Sequence, residues 1–135
     1  PATEVERARG DEDAVARVRP LLSAISETVH HLGPIGSGVK MKLVGNLVVA
    51  AQLQALGEAL SLAKKAGLPL QTVLDVFAVT DFRSPIFDGV GAAVLAGDYS
   101  PHFALALMRK DARLVRDFAA SLGVSITASD ATRHT

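Results

Sequence analysis

The longest unbroken pattern of apolar and polar positions covers residues 37–66 and predicts a single helix. Leucine, valine and alanine dominate this segment without a proline, and Gly67 and Pro69 then supply a stop. A helix of roughly 30 residues is long beside the usual mean of about 11–12. Polar side chains enter its apolar middle at Asn46, Gln52, Gln54 and Glu58. This pattern favours a central helix buried by its neighbours over a membrane span.

Shorter patterns predict further helices on either side of this one. They cover residues 11–24, 70–79, 84–98 and 100–123. Pro20 is expected to kink the first of these or to divide it, while Ser100 and Gly123 are expected to begin and end the last. Residues 26–33 alternate loosely and predict a short strand, and no convincing strand pattern follows residue 33.

The two ends of the sequence resemble interrupted elements. The opening residues lack an initiator methionine and the apolar stretch of a signal peptide. At the other end Ser129 has the character of a helix N-cap, with only six residues after it. We therefore expect these 135 residues to belong to a longer product.

Composition and charge exclude little. Lysine plus arginine equals aspartate plus glutamate at 14 each, so no bulk field favours nucleic acid or an anionic membrane. The absence of cysteine rules out disulfides and thiolate metal sites, and it agrees with a cytoplasmic location. The length suits one domain with a real core.

The glycine-rich segment before the long helix, HLGPIGSGVKMKLVGN at residues 31–46, is the main candidate for chemistry. Gly33 and Gly38 have the separation of a phosphate-binding P-loop, but Val39 replaces its lysine, so that interpretation fails. The order Gly-x-x-Gly-x-Gly also differs from the Gly-x-Gly-x-x-Gly of a dinucleotide fingerprint.

A third interpretation is a helix N-terminus that accepts a ligand. Glycine at positions 36 and 38 lets an anion approach free backbone N–H groups. Lys42 and Asn46, four residues apart, project to one side of the helix and suit a shared small molecule. The alternative is an exposed lysine and a hydrogen-bonded asparagine without function, and the residues alone leave both interpretations open.

Other candidates are weaker. The four histidines have no cysteine or carboxylate at metal-ligand spacing, so no metal site is predicted. Arg83 lies in a predicted turn, where it suits an acid substrate but more often marks a surface loop. Lys110 and Asp111 have the pattern of a solvated helix face, with Arg113 and Asp117 as partners. Serine-nucleophile and paired-carboxylate patterns are absent from the sequence.

The segment from Gly33 to Asn46 resembles the Gly-x-x-Gly-x-Gly-x-x-x-Lys-x-x-x-Asn signature of the β-hydroxyacid dehydrogenase family. A second segment, FALALMRKDARLV at residues 103–115, is similar to the Phe-x-x-x-x-x-x-Lys-Asp segment of that family. With the AGLPLQTVLDV connection, the resemblance covers about residues 10–135. Members include 3-hydroxyisobutyrate dehydrogenases and glyoxylate/succinic semialdehyde reductases.

The resemblance implies a mainly α fold. Residues 33–135 would form an all-helical catalytic and dimerisation domain, a bundle around one long central helix similar to the C-terminal domain of 6-phosphogluconate dehydrogenase. Residues 1–32 would be the end of an N-terminal Rossmann α/β domain. Such a protein would be a homodimer or a dimer of dimers, with no nucleic acid or membrane partner.

The resemblance also implies roles for individual residues. Lys42 would exchange a proton with the substrate oxygen while hydride moves to or from the nicotinamide of NAD or NADP, and Asn46 would hold the substrate. The substrate, a small hydroxy acid or semialdehyde, would place its acid group near Gly36 and Gly38. Phe103 and Asp111 would line the site, and Lys110 would bind the cofactor.

The chain departs from the family at three points. Gly45 stands where many members have a first of two asparagines. The dinucleotide fingerprint and the Ser-Gly-Gly substrate loop do not occur in the sequence, so this chain alone is expected to be inactive. A strand expected between VERARG and DEDAV is short or missing. Two alternatives to a hydroxyacid dehydrogenase remain. One is a non-catalytic helical dimerisation domain, and the other is an imine reductase-like relative, a type of protein that usually lacks the lysine.

Overall fold

The computed structural model describes residues 5–8, 11–101 and 103–127. These residues are mostly helical, as predicted. The chain divides into two compact units, Pro1–Gly45 and Asn46–Thr135. The predicted helix start at Ser129 lies outside the described residues, as do His102 and His134.

The first unit contains a β-strand pair joined by a helix. Strand β1 (Val5–Ala8) lies parallel to β2 (Thr28–His31), with Val5 opposite Thr28 and Ala8 opposite His31. Parallel strands need a crossover, and α1 (Glu12–Ile25) supplies it. The strand predicted within residues 26–33 is confirmed. The strand that looked short or missing forms on VERA itself, before the position where it was expected.

Helix α1 begins where its capping residue dictates. The side chain of Asp11 accepts a hydrogen bond from the Ala14 backbone N–H at 3.0 Å, and Glu12 and Asp13 favour the positive end of the helix dipole. Val15 is the buried residue of this helix. The helix continues through Pro20 as one element, so of the two expected outcomes, a kink or a division, the division is wrong, because losing one hydrogen bond does not end a helix.

Helix α2 (Ser37–Lys65) has 29 residues and confirms the prediction for residues 37–66. It ends in a Schellman motif, in which the Leu68 N–H donates to the Ala63 carbonyl at 3.0 Å and the Gly67 N–H donates to that of Lys64 at 3.2 Å. Gly67 adopts a φ of 76°, a left-handed conformation that glycine accepts without penalty.

Burial along α2 is uneven. Leu56, Leu60 and Ala63 are buried, at the spacing of one helix face, but much of the rest is half-buried or exposed. The prediction that neighbours bury the whole helix is therefore met only in part within this chain. Of the helices that the structure describes, α2 alone is long and apolar enough to cross a bilayer, a test that core helices of soluble proteins also pass.

In the second unit α3 (Leu70–Val79) packs against α4 (Pro85–Ala96). Gly91 of α4 is buried, and a Cβ there would lie 2.8 Å from a terminal methyl carbon of Leu74, so the glycine permits the close approach of the two helices. The ring of Phe77 contacts those of Phe82 and Phe87, with centroids 5.8 and 6.0 Å apart.

Helix α5 (Leu105–Ser121) carries a buried stripe of Asp111, Val115 and Ala119 at helical spacing. It ends before Gly123, as predicted, where φ is 68°. Its predicted start at Ser100 is wrong. Ala104 is the N-cap and makes no side-chain bond, and the Ser100 N–H instead donates to the Asp98 carboxylate at 2.9 Å. An Asx-type turn has therefore replaced the expected helix cap.

Candidate active site

The turn before α2 contains two glycines in backbone conformations that favour glycine. Gly33 and Gly36 have φ values of 103° and 98°, which other residues rarely adopt. The N–H of Ser37 donates to the Pro34 carbonyl at 3.0 Å, and that of Lys40 donates to the Gly36 carbonyl at 3.1 Å. The turn is therefore fixed by its own backbone, and it leaves the N–H groups between these two, those of Gly38 and Val39, available for an anion.

Gly38 and Lys42 follow on the first turns of α2, within the first unit. Gly38 is buried. Lys42 is exposed, and no ion pair to it is found among the described residues. The lysine is therefore free to meet a ligand.

Asn46 and Asp111 meet in the second unit, although 65 residues separate them in the sequence. The Asn46 side-chain nitrogen Nδ2 donates to Asp111 Oδ2 at 2.9 Å. Asp111 is 7% exposed, and it is one of two buried polar residues of the described chain. A buried carboxylate is costly unless it is hydrogen-bonded, so this bond fixes both the carboxylate and the asparagine amide.

Lys110 joins Asn46 and Asp111 to form a polar cluster of three residues. Its Nζ lies 2.9 Å from the second carboxylate oxygen of Asp111, Oδ1. The side chain of Lys110 is 51% exposed, whereas that of Asp111 is 10% exposed. Asp111 is therefore bonded on both oxygens, by an amide on one side and by an ammonium group that still faces solvent on the other. The prediction of a solvated helix face is wrong for Asp111.

A partly open cavity of about 410 Å³ adjoins this cluster within the second unit. Asn46 and Asp111 supply its polar side chains, and Phe103 and Gly89 contribute to its wall. The remaining lining residues are apolar: Val49, Leu53, Pro85, Ile86, Val90 and Met108. This composition, an apolar surface with a few placed polar groups, is typical of small-molecule sites.

The structure brings together Asn46, Phe103 and Asp111, all of which line this cavity, and it joins Lys110 to them through Asp111. Phe103 is 52% exposed, so its ring has surface available to a ligand. Gly36, Gly38 and Lys42 belong to the first unit.

Sequence reasoning missed the contribution of α4. Ile86, Gly89 and Val90 line the cavity, and Ser84 holds the start of their helix. Ser84 is 5% exposed, and its hydroxyl accepts a hydrogen bond from the Ile86 N–H at 3.3 Å. The Ser-Pro pair at residues 84–85 was a usable signal for a helix start, but nothing in the local pattern indicated which face of the helix would meet a ligand.

The structure also describes the surroundings of two further candidates. Arg83 lies 3.8 Å from the Asp88 carboxylate with both side chains largely exposed, which is a surface ion pair. Within residues 5–8, 11–101 and 103–127 no group of three or more histidine, cysteine or acidic side chains is placed to hold a metal ion.

Comparison with known proteins identifies the family to which the chain belongs. Residues 36–135 match the family described as "NAD-binding of NADP-dependent 3-hydroxyisobutyrate dehydrogenase". The chain is 32% identical over 128 residues to glyoxylate/succinic semialdehyde reductase 1 of Arabidopsis thaliana, an alignment that covers 92% of this chain and 44% of that protein.

Solved structures agree. The crystal structure of 3-hydroxyisobutyrate dehydrogenase from Salmonella typhimurium matches with a TM-score of 0.84 and 30% identity over 92% of this chain and 44% of that one. The Mycobacterium tuberculosis 3-hydroxyisobutyrate dehydrogenase, solved with L-serine, matches with a TM-score of 0.80 and 30% identity over 91% of this chain and 45% of that one.

The matched sequence and fold are those of a domain found in proteins that are named as dehydrogenases and reductases. The chain belongs to the β-hydroxyacid dehydrogenase family, which includes the 3-hydroxyisobutyrate dehydrogenases that it matches. The resemblance inferred from the two sequence segments is thus confirmed. The chain spans a little under half the length of the relatives it matches.

Proposed function

We propose that the protein is an NAD(P)-dependent oxidoreductase that transfers hydride between nicotinamide and a small β-hydroxy acid or the matching semialdehyde. The observation that carries this proposal is the hydrogen bond from the half-buried Asn46 to the buried Asp111. It joins the two segments that resemble the family, and it does so at the wall of an apolar cavity. The family match over residues 36–135 supports the same activity.

The described residues fit one end of the cofactor. Lys110 offers a half-exposed ammonium group, and the cavity offers an apolar wall. The bound nicotinamide would accept or donate the hydride. The glycine fingerprint for the pyrophosphate does not occur in these 135 residues, so the proposal assigns that part of NAD or NADP to a Rossmann domain of which residues 1–32 are the end. Residues 33–135 are then the helical catalytic domain, similar to the C-terminal domain of 6-phosphogluconate dehydrogenase.

Lys42 is the proton-transfer group in this proposal. During oxidation the Lys42 amine accepts the proton from the substrate hydroxyl as the carbon–hydrogen bond breaks, and during reduction the ammonium returns that proton to the carbonyl oxygen. Its exposure leaves the Nζ group accessible to a substrate. The presence of this lysine favours an acid dehydrogenase over an imine reductase-like relative, which usually lacks it.

Asn46 holds the substrate oxygen beside that lysine. Because Nδ2 donates to Asp111, the amide is locked in one orientation, and Oδ1 with the second N–H remains for the substrate. Gly36 and Gly38 give the substrate acid group access to backbone N–H groups at the start of α2. Phe103 and Asp111 complete the wall, and Lys110 contacts the cofactor.

The alternative is a helical dimerisation domain without catalysis, and one observation favours an association role. Val44 and Val48 of α2 are 47% and 50% exposed, and Met41 is 39% exposed, which leaves apolar surface on the longest helix. The two roles are compatible in one homodimer. They differ in chemistry, since a purely associating helix does not need Lys42.

The test is a hydride-transfer assay on the intact protein, with NAD and NADP, against short 3-hydroxy acids and semialdehydes. Lys42→Ala should lower kcat by about 10²–10⁴-fold with little change in cofactor affinity. Lys40→Ala is the matched control, because Lys40 is also exposed on the first turns of α2 but projects elsewhere. Near-normal turnover in Lys42→Ala would overturn the lysine mechanism, and dimers without any turnover would favour the association role.

A further inference from the structure

Gly45 lies inside the continuous helix α2, although neither packing nor a turn explains a glycine there. A Cβ built on Gly45 meets no atom within 4 Å, so the glycine does not serve the close approach of another element. Its backbone is helical, and it is not one of the glycines with a positive φ. Glycine inside a helix is less favourable than alanine because its backbone has more freedom to lose. The sequence therefore weakens α2 at this position.

The neighbours of Gly45 are also weak helix formers. Residues 44–49 read Val-Gly-Asn-Leu-Val-Val, and five of these six residues rank low in helix propensity. Valine loses side-chain freedom against the preceding turn, and asparagine competes for backbone hydrogen bonds. Residues 50–56, AAQLQAL, are by contrast all strong helix formers. The intrinsic weakness is thus confined to a short segment around Gly45.

The boundary between the two compact units falls in this weak segment, between Gly45 and Asn46. Residues 39–55, all of which the structure describes, include none that is buried. The buried side chains of α2 come later, at Leu56, Leu60 and Ala63. A helix with few buried contacts bends or opens at lower cost than one held by a core, and glycine is a common site of bending. Two independent features, helix propensity and the unit boundary, therefore mark one position.

We propose that α2 bends at Gly45 and that this bend sets the separation of the Lys42 and Asn46 side chains, which makes Gly45 a positioning residue. The inference rests on the proposed function. Lys42 precedes the boundary and Asn46 follows it, four residues apart on one side of the helix. Asn46 is held by its bond to Asp111 at 2.9 Å. Bending toward the shared side therefore brings the Lys42 ammonium closer to a substrate held by Asn46, and bending away withdraws it.

Gly45→Ala tests the bend, and Gly57→Ala is the matched control. Gly57 also lies inside α2 and a Cβ there also meets no atom within 4 Å, but strong helix formers flank it. Both substitutions should raise the unfolding temperature by a similar few degrees, because both favour the helix. In the intact protein, Gly45→Ala alone should lower kcat, by about tenfold or more, and change KM for the hydroxy acid with it.

Hydrogen exchange of the intact protein, followed by mass spectrometry, measures the bend without catalysis. The amides of residues 46–49 donate to carbonyls on the other side of Gly45, and those of residues 58–61 do the same across Gly57. We expect the first group to exchange faster in the parent protein, and Gly45→Ala to slow it about fivefold while Gly57→Ala leaves it unchanged.

The outcomes separate the bend, its role and the proposed function. Equal exchange of the two groups of amides in the parent protein would overturn the bend. Faster exchange at residues 46–49 with parental kinetics in Gly45→Ala would overturn the positioning role, because the bend would then not limit the reaction. Absence of turnover in the parent protein with every hydroxy acid, semialdehyde and cofactor would overturn the proposed function and the positioning role together, while the exchange rates would still report the bend itself.

Discussion

Asn46 donates its side-chain amide to the buried carboxylate of Asp111 across 65 residues of sequence, at 2.9 Å. Because Lys110 occupies the other carboxylate oxygen, Asp111 has no oxygen without a partner. Asp111 is therefore best placed to fix the orientation of Asn46, and both residues line the cavity. This relationship makes Asp111 a positioning residue in the proposed reaction.

Asp111→Asn should test that role. The substitution keeps the shape of the side chain but lets its amide turn a donor toward Asn46, so the asparagine loses its single orientation. We expect kcat to fall about tenfold or more, with KM for the cofactor changed little and with the protein still folded. Steady-state kinetics and thermal unfolding measure both effects.

Asp117→Asn is the matched control. Asp117 lies on the same helix and pairs with the adjacent Arg116 at 3.0 Å, but its side chain is 65% exposed. Its loss should change neither kinetics nor stability by a measurable amount. Equal losses of turnover in both variants would show that the effect belongs to α5 as a whole and not to the Asn46–Asp111 bond.

Lys110→Met should separate cofactor binding from structure. Removing Lys110 leaves the buried Asp111 carboxylate with Asn46 as its remaining partner, so the substitution should cost about 1–3 kcal/mol of unfolding free energy. If Lys110 also contacts the cofactor, KM for NAD or NADP should rise several-fold while KM for the hydroxy acid changes less. Initial-rate kinetics with each substrate varied in turn give the two constants.

Arg109→Met is the control for Lys110, because Arg109 is an exposed cation at the preceding position. It should leave both KM values unchanged. A Lys110→Met protein with unaltered cofactor KM would leave the lysine with only its ion pair to Asp111, and the predicted cofactor role would be wrong.

Much of the fold follows from local sequence signals. The bounds of α2 and α3 agree with the predicted segments because Gly67 and Pro69 interrupt the helical pattern between them. The start of α5 was predicted too early, at Ser100. A serine caps a helix only if the residues after it are helical, and here the Ser100 N–H donates to the Asp98 carboxylate while the helix begins after Ala104.

The candidate site was less predictable. Asn46 and Asp111 were each identified through the family resemblance, but their hydrogen bond depends on where α5 packs, which no local pattern encodes. The cavity wall from α4 was missed for the same reason: Ile86, Gly89 and Val90 look like ordinary residues of an apolar helix until the tertiary structure places them. Local signals therefore predict helices better than they predict cavities.

Ser84→Ala should weaken the start of α4. The Ser84 hydroxyl accepts from the Ile86 N–H and is buried, so its loss leaves a helix-end donor without its partner. We expect a loss of about 0.5–2 kcal/mol of unfolding free energy, measured by chemical denaturation. Ser100→Ala is the control, since the exposed Ser100 does not cap α5, and it should stay within about 0.5 kcal/mol of the parent protein. Equal effects of the two substitutions would contradict the capping assignment.

Gly36→Ala and Gly57→Ala should change stability in opposite directions. Gly36 has a φ of 98°, where an L side chain is strained even though a Cβ there meets no atom within 4 Å. Alanine at this position should therefore cost about 1–2 kcal/mol through the backbone alone. Gly57 lies inside α2 with the same open surroundings, so alanine there should add up to about 1 kcal/mol by favouring the helix.

Chemical denaturation of both variants measures the two changes in unfolding free energy. If the proposed activity is correct, Gly36→Ala in the intact protein should also raise KM for the hydroxy acid, because the turn that precedes the N–H groups at the start of α2 would have to distort. Gly57→Ala should leave that KM unchanged. A Gly36→Ala protein with parental stability but a raised KM would mean that the glycine is needed for ligand access alone. A destabilised protein with parental KM would mean that it serves only the turn, and the anion-binding role of this helix start would then be wrong.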